Sequence, residues 1–285
     1  MAKKPKTVDK LKALVQLIRP LNALMAGAAV TIALLAGAGL FADLSLLIPA
    51  ILTAIFVAAG GNALNDYYDI EIDKINRPDR PLPSGVLSLR SVWTFSVLMF
   101  AVGIAFSFLL PFICIIIAVV NTGLLAWYAS QVKKTGFFGN LMISYLVGSL
   151  LVFGAAAVGN LVLGIFLGIC AFFTNASREI IKDLEDIRGD EQFGAKTLPM
   201  VEGKKKTIFL TSSFLLMTIL LSPLPYLLEI LSIYYMIVAA IADGIFLAAS
   251  ISLFKKPTIT NAKINQRKIK FGAIIGLLAF LAGLL

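Results

Sequence analysis

The chain has 285 residues, of which 59% are hydrophobic, a share well above that of an ordinary soluble domain. It contains no histidine, which excludes histidine-based acid–base catalysis, and its two cysteines are too few for a zinc site or a disulfide framework. The composition therefore indicates an all-α, multi-pass membrane protein.

Nine apolar stretches are predicted to span the membrane, because a helix needs about 20 apolar residues to cross a bilayer. Two uncharged stretches of about twice that length are each divided into two helices, at Pro111 and at Gly159–Asn160. The eighth stretch is interrupted by Asp243, and the ninth is short. The predicted spans are roughly 21–41, 45–65, 91–110, 112–131, 138–158, 161–181, 207–226, 230–254 and 271–285.

The basic residues agree with this count. When nine spans are threaded through a membrane, all 25 Lys and Arg residues fall on one side, which the positive-inside rule makes cytoplasmic. We therefore predict a cell-membrane protein with its N-terminus and long loops in the cytoplasm and its C-terminus on the opposite face. The net charge of +9 then indicates contact with anionic lipid or phosphate, not with nucleic acid.

An aspartate cluster follows the second span. Asp66, Asp69 and Asp73 are spaced i, i+3, i+7, so on a helix they share one face. Like charges on one face are unfavourable unless a cation lies between them. Asn65 and Asn62 add neutral oxygen atoms on or beside that face. Because Mg²⁺ prefers oxygen ligands, often one or two carboxylates together with phosphate oxygens, the cluster predicts a magnesium site for a diphosphate.

The next segment, residues 76–85, contains three prolines and a glycine and is predicted to be a stiff, non-helical loop. Its two arginines, Arg77 and Arg80, are predicted to bind diphosphate oxygens. The alternative is that they are ordinary cytoplasmic charges, which the positive-inside rule alone would explain.

A second cluster with the same spacing follows the sixth span, at Asp183, Asp186 and Asp190. Asp186 and Asp190 are predicted to bind a second Mg²⁺, while Lys182 and Lys196 neutralise the diphosphate. The two clusters occupy equivalent positions, so helices one to four and five to eight are predicted to form two parallel repeats, with helix nine outside them. The two aspartate faces would then meet and bridge the metal ions to one diphosphate.

These motifs resemble those of the UbiA-type superfamily of intramembrane prenyltransferases. The family pattern N-D-x-x-D-x-x-x-D is matched by residues 65–73, and the pattern D-x-x-x-D by residues 186–190. Asp183 is an addition seen in part of the family. The Tyr/Lys element after helix four is matched less closely, by Tyr128 and Lys133. The resemblance implies that Lys133 binds the diphosphate and that Tyr128 lies at the acceptor.

The resemblance further implies Mg²⁺-dependent transfer of a prenyl group from its diphosphate to an acceptor. Residues 178–199 look most like the branch that alkylates the hydroxyl of geranylgeranylglyceryl phosphate and so forms the second ether bond of archaeal membrane lipids. In this interpretation Arg19, which lies outside both aspartate motifs, binds the acceptor phosphate beside Asn22. The alternative role of Arg19 is a positive-inside anchor.

Two other functions stay open at this point. Another branch of the family prenylates aromatic acceptors of quinone synthesis, of the 4-hydroxybenzoate or naphthoate type. The chain could also be a membrane transporter, since Asp243 is a carboxylate inside a predicted span. The position of both clusters at the predicted membrane boundary, not at its midplane, favours the enzyme.

Overall fold

The computed structural model describes residues 7–39, 43–192 and 197–285, with side chains described for residues 10–39, 43–187 and 197–285. Every regular element within these ranges is a helix. The α-helices are α1 (Thr7–Ile18), α2 (Pro20–Ala38), α3 (Leu44–Tyr68), α4 (Ile70–Asn76), α5 (Leu89–Ser107), α6 (Phe112–Ser130), α7 (Phe137–Ala156), α8 (Leu161–Gln192), α9 (Leu198–Val201), α10 (Gly203–Leu221), α11 (Leu224–Leu227), α12 (Ile233–Lys255) and α13 (Ile259–Ala282). A 3₁₀ segment, Val132–Thr135, precedes α7.

Eight helices of the described chain are long and apolar enough to cross a membrane, as expected of a multi-pass membrane protein. They are α2, α3, α5, α6, α7, α8, α10 and α12. The first half of α13 carries four basic residues, and this helix is not among the eight. The ninth predicted span, residues 271–285, therefore stays a prediction.

Several helices extend beyond the predicted spans. Helix α8 continues from the predicted end at residue 181 to Gln192, and α13 begins at Ile259, not at residue 271. The predictions used charge to mark span ends, but Lys, Arg and Glu are good helix formers and continue a helix past the hydrocarbon edge. Helix α13 also has its own start signal, because Thr258 Oγ1 accepts the backbone N–H of Asn261 at 3.2 Å.

The chain forms two compact units. Unit 1 consists of Met1–Thr31 and Asp43–Ser130, and unit 2 consists of Ile32–Ala42 and Gln131–Leu285. The division after Ser130 falls close to the predicted boundary between the two repeats. The repeat relationship itself remains a prediction.

In unit 1, helices α3 and α5 approach closely through small residues. A Cβ atom on Gly60 would lie 2.7 Å from the ring of Phe100, and one on Gly103 would lie 2.8 Å from Val57. Ser96 Oγ donates to the carbonyl oxygen of Gly60 at 2.8 Å. Close packing through small residues and interhelical hydrogen bonds is the usual means by which membrane helices associate.

In unit 2, a buried apolar cluster joins α8, α10, α12 and α13. Asp243 is the carboxylate on which the transporter alternative was based. It accepts a hydrogen bond from Ser222 Oγ at 2.5 Å. The hydroxyl of the buried Tyr235 donates to the carbonyl oxygen of Ser222 at 2.6 Å. Asp243 thus ties α12 to the end of α10.

Candidate active site

The first aspartate cluster lies on two helices, not on the single helix expected from its spacing. Helix α3 ends at Tyr68 and α4 begins at Ile70, with Asp69 between them. The backbone N–H of Asp69 donates to the backbone carbonyl oxygen of Asn65 at 2.9 Å. The backbone N–H of Asp73 donates to the backbone carbonyl oxygen of Asp69 at 2.8 Å, so helical hydrogen bonds continue on both sides of the break. Asp66 and Asp73 still lie close enough together for one guanidinium, that of Arg80, to contact both.

Arg80 joins these two carboxylates. Its Nη1 atom donates to Asp66 Oδ1 at 3.1 Å and to Asp73 Oδ2 at 2.6 Å. The side chains of Asp66 and Asp73 are only 5% and 8% exposed, and that of Arg80 is 16% exposed. Buried charges are costly unless they are paired, so these contacts compensate most of the charge of the cluster.

The loop before α5 holds Arg80 in place. The backbone N–H of Arg80 donates to Arg77 at 3.1 Å, and that of Ser84 donates to Arg80 at 3.0 Å. Leu82 and Leu87 of the same loop are buried in an apolar cluster with residues of α1, α3 and α5. The loop is non-helical, as its prolines predict, and two buried leucines anchor it.

Arg19 contacts the same cluster from the junction of α1 and α2. Its Nη2 atom donates to Asp66 Oδ1. Arg19 has φ = 51°, a left-handed conformation that costs a non-glycine residue about 1–2 kcal/mol. In the sequence Arg19 lies outside both aspartate motifs. In the structure the fold brings its guanidinium into contact with Asp66 of the first motif. The side chain of Asn22 is exposed, and its backbone N–H donates to Arg19 at 2.8 Å.

The two asparagines of α3 have different surroundings. Asn62 Nδ2 donates to the carbonyl oxygen of Ile18 at 2.9 Å, so this side chain anchors the end of α1 beside Arg19. Asn65 Oδ1 is buried and has no hydrogen-bond partner among the described residues. A buried acceptor in this state is a position where a cation or a donor from a ligand would be favourable.

A magnesium ion fits this region as a shared ion, not as one held in a protein cage. Within the described part of the chain, no three Asp, Glu or Cys side chains are grouped so that they could hold a metal. Mg²⁺ usually takes one or two protein carboxylates and completes its shell with water and substrate phosphates. Asp66, Asp73 and Asn65 supply oxygen atoms of this kind.

The second cluster lies on the continuous helix α8, as its spacing predicts. Asp183 is half-buried, and its Oδ2 atom accepts a hydrogen bond from Asn140 Nδ2 of α7 at 2.7 Å. Asp186 and Lys182 are exposed, with Lys182 Nζ 3.8 Å from Glu179. The side chain of Asp190 and the whole of Lys196 lie outside the described residues.

Three further predicted residues lie at the end of α4, on α6 and in the 3₁₀ segment. Arg77 is exposed at the end of α4, and its backbone N–H donates to the backbone carbonyl oxygen of Asp73 at 2.8 Å. Tyr128 is half-buried on α6 of unit 1. Lys133 is exposed in the 3₁₀ segment of unit 2.

Two side chains beside the second cluster were not predicted from the sequence. Asn140 contacts Asp183 from α7, and Lys263 Nζ of α13 lies 3.4 Å from Glu185 Oε1. Neither residue belongs to a motif, and each partner is distant in the sequence. Only the packing of α7 and α13 against α8 brings them there.

Known proteins similar to this chain share its length and its fold. Residues 25–281 match the UbiA prenyltransferase family. The chain is 41% identical to digeranylgeranylglyceryl phosphate synthase of Methanopyrus kandleri, over 96% of this chain and 100% of that protein. It is 42% identical to the protein of the same name from Methanococcus aeolicus, over 96% and 98%.

Solved structures agree. A structure described as digeranylgeranylglyceryl phosphate synthase in membranes superposes with a TM-score of 0.91 at 37% identity, covering 96% of this chain and 98% of that one. A UbiA homologue from Archaeoglobus fulgidus, bound to DMAPP and Mg²⁺, superposes with a TM-score of 0.67 at 18% identity, over 92% and 98%. The aspartate motifs, the helical fold and these similarities together show that the chain belongs to the UbiA prenyltransferase family.

Proposed function

We propose that this protein transfers a geranylgeranyl group from its diphosphate to the free hydroxyl of geranylgeranylglyceryl phosphate, forming the second ether bond of archaeal membrane lipids. The observation that carries the proposal is the identity of 41–42% to proteins named for this product, over 96% of the chain. The structural similarity at a TM-score of 0.91 supports it.

The diphosphate end of the substrate is assigned to the two aspartate clusters. Asp66, Asp69 and Asp73 with Asn65, and Asp186 with Asp190, are proposed to bind two Mg²⁺ ions. The A. fulgidus homologue, which is described with DMAPP and Mg²⁺ bound, supports the use of Mg²⁺ with a prenyl diphosphate. When bound, Mg²⁺ neutralises charge that develops on the leaving diphosphate. The proposed direct contacts to the diphosphate come from Asn62, Arg77, Arg80, Lys133, Lys182 and Lys196.

Arg80 and Arg19 are proposed to act before substrate binding. Their guanidinium groups compensate the buried carboxylates of Asp66 and Asp73. For those carboxylates to hold Mg²⁺, the guanidiniums must give up part of these contacts. Guanidinium binds phosphate oxygens well, so the released Arg80 would bind the incoming diphosphate and the released Arg19 the acceptor phosphate.

The acceptor is assigned to Arg19, Asn22 and Tyr128. A glyceryl phosphate carries about two negative charges near neutral pH and therefore needs a cation. Because Arg19 also contacts Asp66, we expect substitutions of Arg19 to weaken both substrates, not the acceptor alone.

The reaction breaks the bond between the prenyl carbon and the diphosphate oxygen, and its electron pair leaves with the diphosphate. The acceptor hydroxyl oxygen forms the new ether bond to that carbon and loses its proton. The prenyl carbon has cationic character between these events. The apolar helices exclude water, which would otherwise capture the prenyl group.

The test is an assay of the purified protein in detergent with geranylgeranyl diphosphate, Mg²⁺ and two competing acceptors. We expect the ether product from geranylgeranylglyceryl phosphate, its loss in excess EDTA, and its recovery when Mg²⁺ is restored. Preferential prenylation of 4-hydroxybenzoate would overturn the assignment of the acceptor.

The topology is part of the proposal. Both aspartate clusters should face the cytoplasm, and the C-terminus the opposite side, because all basic residues then lie inside. Single cysteines at the exposed positions Lys74, Lys204 and Leu285 would be labelled in sealed vesicles. Labelling of Lys74 and Lys204 from different sides would contradict this topology.

A further inference from the structure

Helices α7 and α8 are held in one register by glycines. A Cβ atom on Gly148 would lie 2.5 Å from the carbonyl oxygen of Gly168, and one on Gly168 would lie 2.6 Å from Val152. Neither position accepts a side chain without moving a helix, so the two backbones approach closely and at a defined offset. Ser144 and Asn140 lie about one and two turns from Gly148 on α7, and Asn175 and Asp183 lie about two and four turns from Gly168 on α8.

Polar contacts within and between α7 and α8 continue from the glycine region toward the second aspartate cluster. Asn175 Nδ2 of α8 donates to Ser144 Oγ of α7 at 3.1 Å, and Ser144 Oγ donates to the carbonyl oxygen of Asn140 at 2.5 Å. Asn140 Nδ2 then donates to Asp183 Oδ2 at 2.7 Å. The chain of hydrogen bonds leads from Asn175 through Ser144 and Asn140 to a carboxylate of the candidate site.

We propose that Asn140 is a positioning residue that orients the Asp183 carboxylate for the transfer reaction; this inference rests on the proposed function. Asp186, one turn further along α8, is exposed, whereas Asp183 is half-buried and is held from a neighbouring helix. A neutral amide donor fixes the direction of a carboxylate and leaves its negative charge in place. Asn140 lies on α7, outside both aspartate motifs, and its donated hydrogen bond contributes to the direction of Asp183.

The experiment compares a truncation with an exchange of the two side chains. Asn140→Ala removes the donor and is expected to lower kcat about 10–100-fold, the usual effect of losing a group that orients a functional ligand. The double variant Asn140→Asp with Asp183→Asn keeps a hydrogen bond between the helices but moves the carboxylate to α7. We expect it to restore the melting temperature to within about 2 °C of wild type but not to restore kcat.

Thr218→Val is the matched control. It removes the contact between the Thr174 and Thr218 hydroxyls, 3.2 Å apart between α8 and α10, without touching Asp183. We expect its kcat to equal that of wild type. If the exchanged pair regains kcat, the hydrogen bond only joins two helices, and the inference is wrong. An unchanged kcat for Asn140→Ala would also overturn it.

The same assay separates this inference from the proposed function. The wild-type rate with geranylgeranylglyceryl phosphate decides the function. The ratio of variant to wild-type kcat, on whichever acceptor the wild type uses, decides the role of Asn140.

Discussion

The two aspartate clusters have the same spacing in the sequence but different surroundings in the structure. In unit 1, Asp66 and Asp73 are buried against the guanidinium groups of Arg19 and Arg80. In unit 2, Asp183 accepts a hydrogen bond from the neutral amide of Asn140, and Asp186, one turn later, is exposed. The contacts that hold the first cluster are ionic and buried. In the second cluster Asp186 is exposed, and one contact of Asp183 is a hydrogen bond from a neutral donor.

This difference shows that spacing determines which carboxylates share a face, but not what that face meets. A charge in the first cluster has two roles, because it pairs with an arginine in the fold and is available for a metal in the reaction. A charge at Asp186 has little part in the fold. The following substitutions test this contrast.

The largest effect is expected for Asp66→Ala. This change removes the carboxylate that Arg19 contacts and leaves Arg80 paired with Asp73 alone, and losing one partner of a buried ion pair costs about 3–5 kcal/mol. We expect a lower melting temperature together with a loss of kcat of about 10³-fold. Asp79→Ala, which removes an exposed carboxylate from the same loop, should change neither quantity. A normal melting temperature for Asp66→Ala would show that the ionic cluster does not stabilise the fold.

For Asp186→Ala we expect kcat to fall without a matching fall in melting temperature. Its side chain is exposed, so the melting temperature should stay within about 1 °C of wild type while kcat falls about 10²-fold or more. Glu202→Ala, at another partly exposed carboxylate of unit 2, serves as the control for charge removal. An Asp186→Ala protein with normal turnover would remove this residue from the metal site.

Arg80→Gln should increase the affinity of the protein for Mn²⁺ in the absence of diphosphate. In the wild type Arg80 compensates Asp66 and Asp73, and removing this cation frees their charge for a metal. We expect about a tenfold gain in affinity, measured by electron paramagnetic resonance of free Mn²⁺. Arg90→Gln removes an exposed arginine of α5 and should have no such effect. Weaker binding of Mn²⁺ by Arg80→Gln would contradict the proposed exchange of arginine for metal.

A smaller effect on stability is expected from the backbone conformation of Arg19, and two substitutions distinguish it from the effect of the lost charge. Arg19→Gly and Arg19→Ala both lose the contact with Asp66, but only glycine accepts φ = 51° without strain. Arg19→Ala should therefore be less stable than Arg19→Gly by about 1 kcal/mol in thermal unfolding. Equal stability would mean that the junction of α1 and α2 relaxes when the arginine is removed.

The smallest effect is expected for Lys263→Ala. Lys263 pairs with Glu185, and the lysine side chain is exposed. Exposed ion pairs contribute about 0.5 kcal/mol or less to the free energy of unfolding. The change in melting temperature should disappear at high salt, because added ions screen such a pair. A larger loss that persists in salt would give Lys263 a role beyond this surface pair.

The sequence predicted the helical class and most span positions because the signal is local: about 20 apolar residues in a row can only be accommodated as a helix in a bilayer. It misplaced the ends of α8 and α13, where charged residues leave the hydrocarbon region but remain helical. Helix α1 was also not predicted, because it lies before the first predicted span and is too short to cross a membrane.

The candidate site divides in the same way. The aspartates, the asparagine at position 65 and the arginine loop could be selected as candidates from the sequence, since they form contiguous motifs. The contacts of Asp66 with Arg19 and of Asp183 with Asn140 join residues more than forty positions apart. Such contacts depend on how helices pack, and a single sequence carries no direct signal for them.

The order of charged residues along the chain bears on how the first cluster is assembled during synthesis. Arg19 precedes Asp66 by 47 positions, and Arg80 follows it by 14. When Asp66 emerges from the ribosome at the end of an apolar helix, one of its partners has therefore already been made. A lone carboxylate is costly near a bilayer, and pairing with the upstream arginine reduces that cost during insertion. The insertion machinery would thus handle a neutral pair before the loop that carries Arg80 is complete.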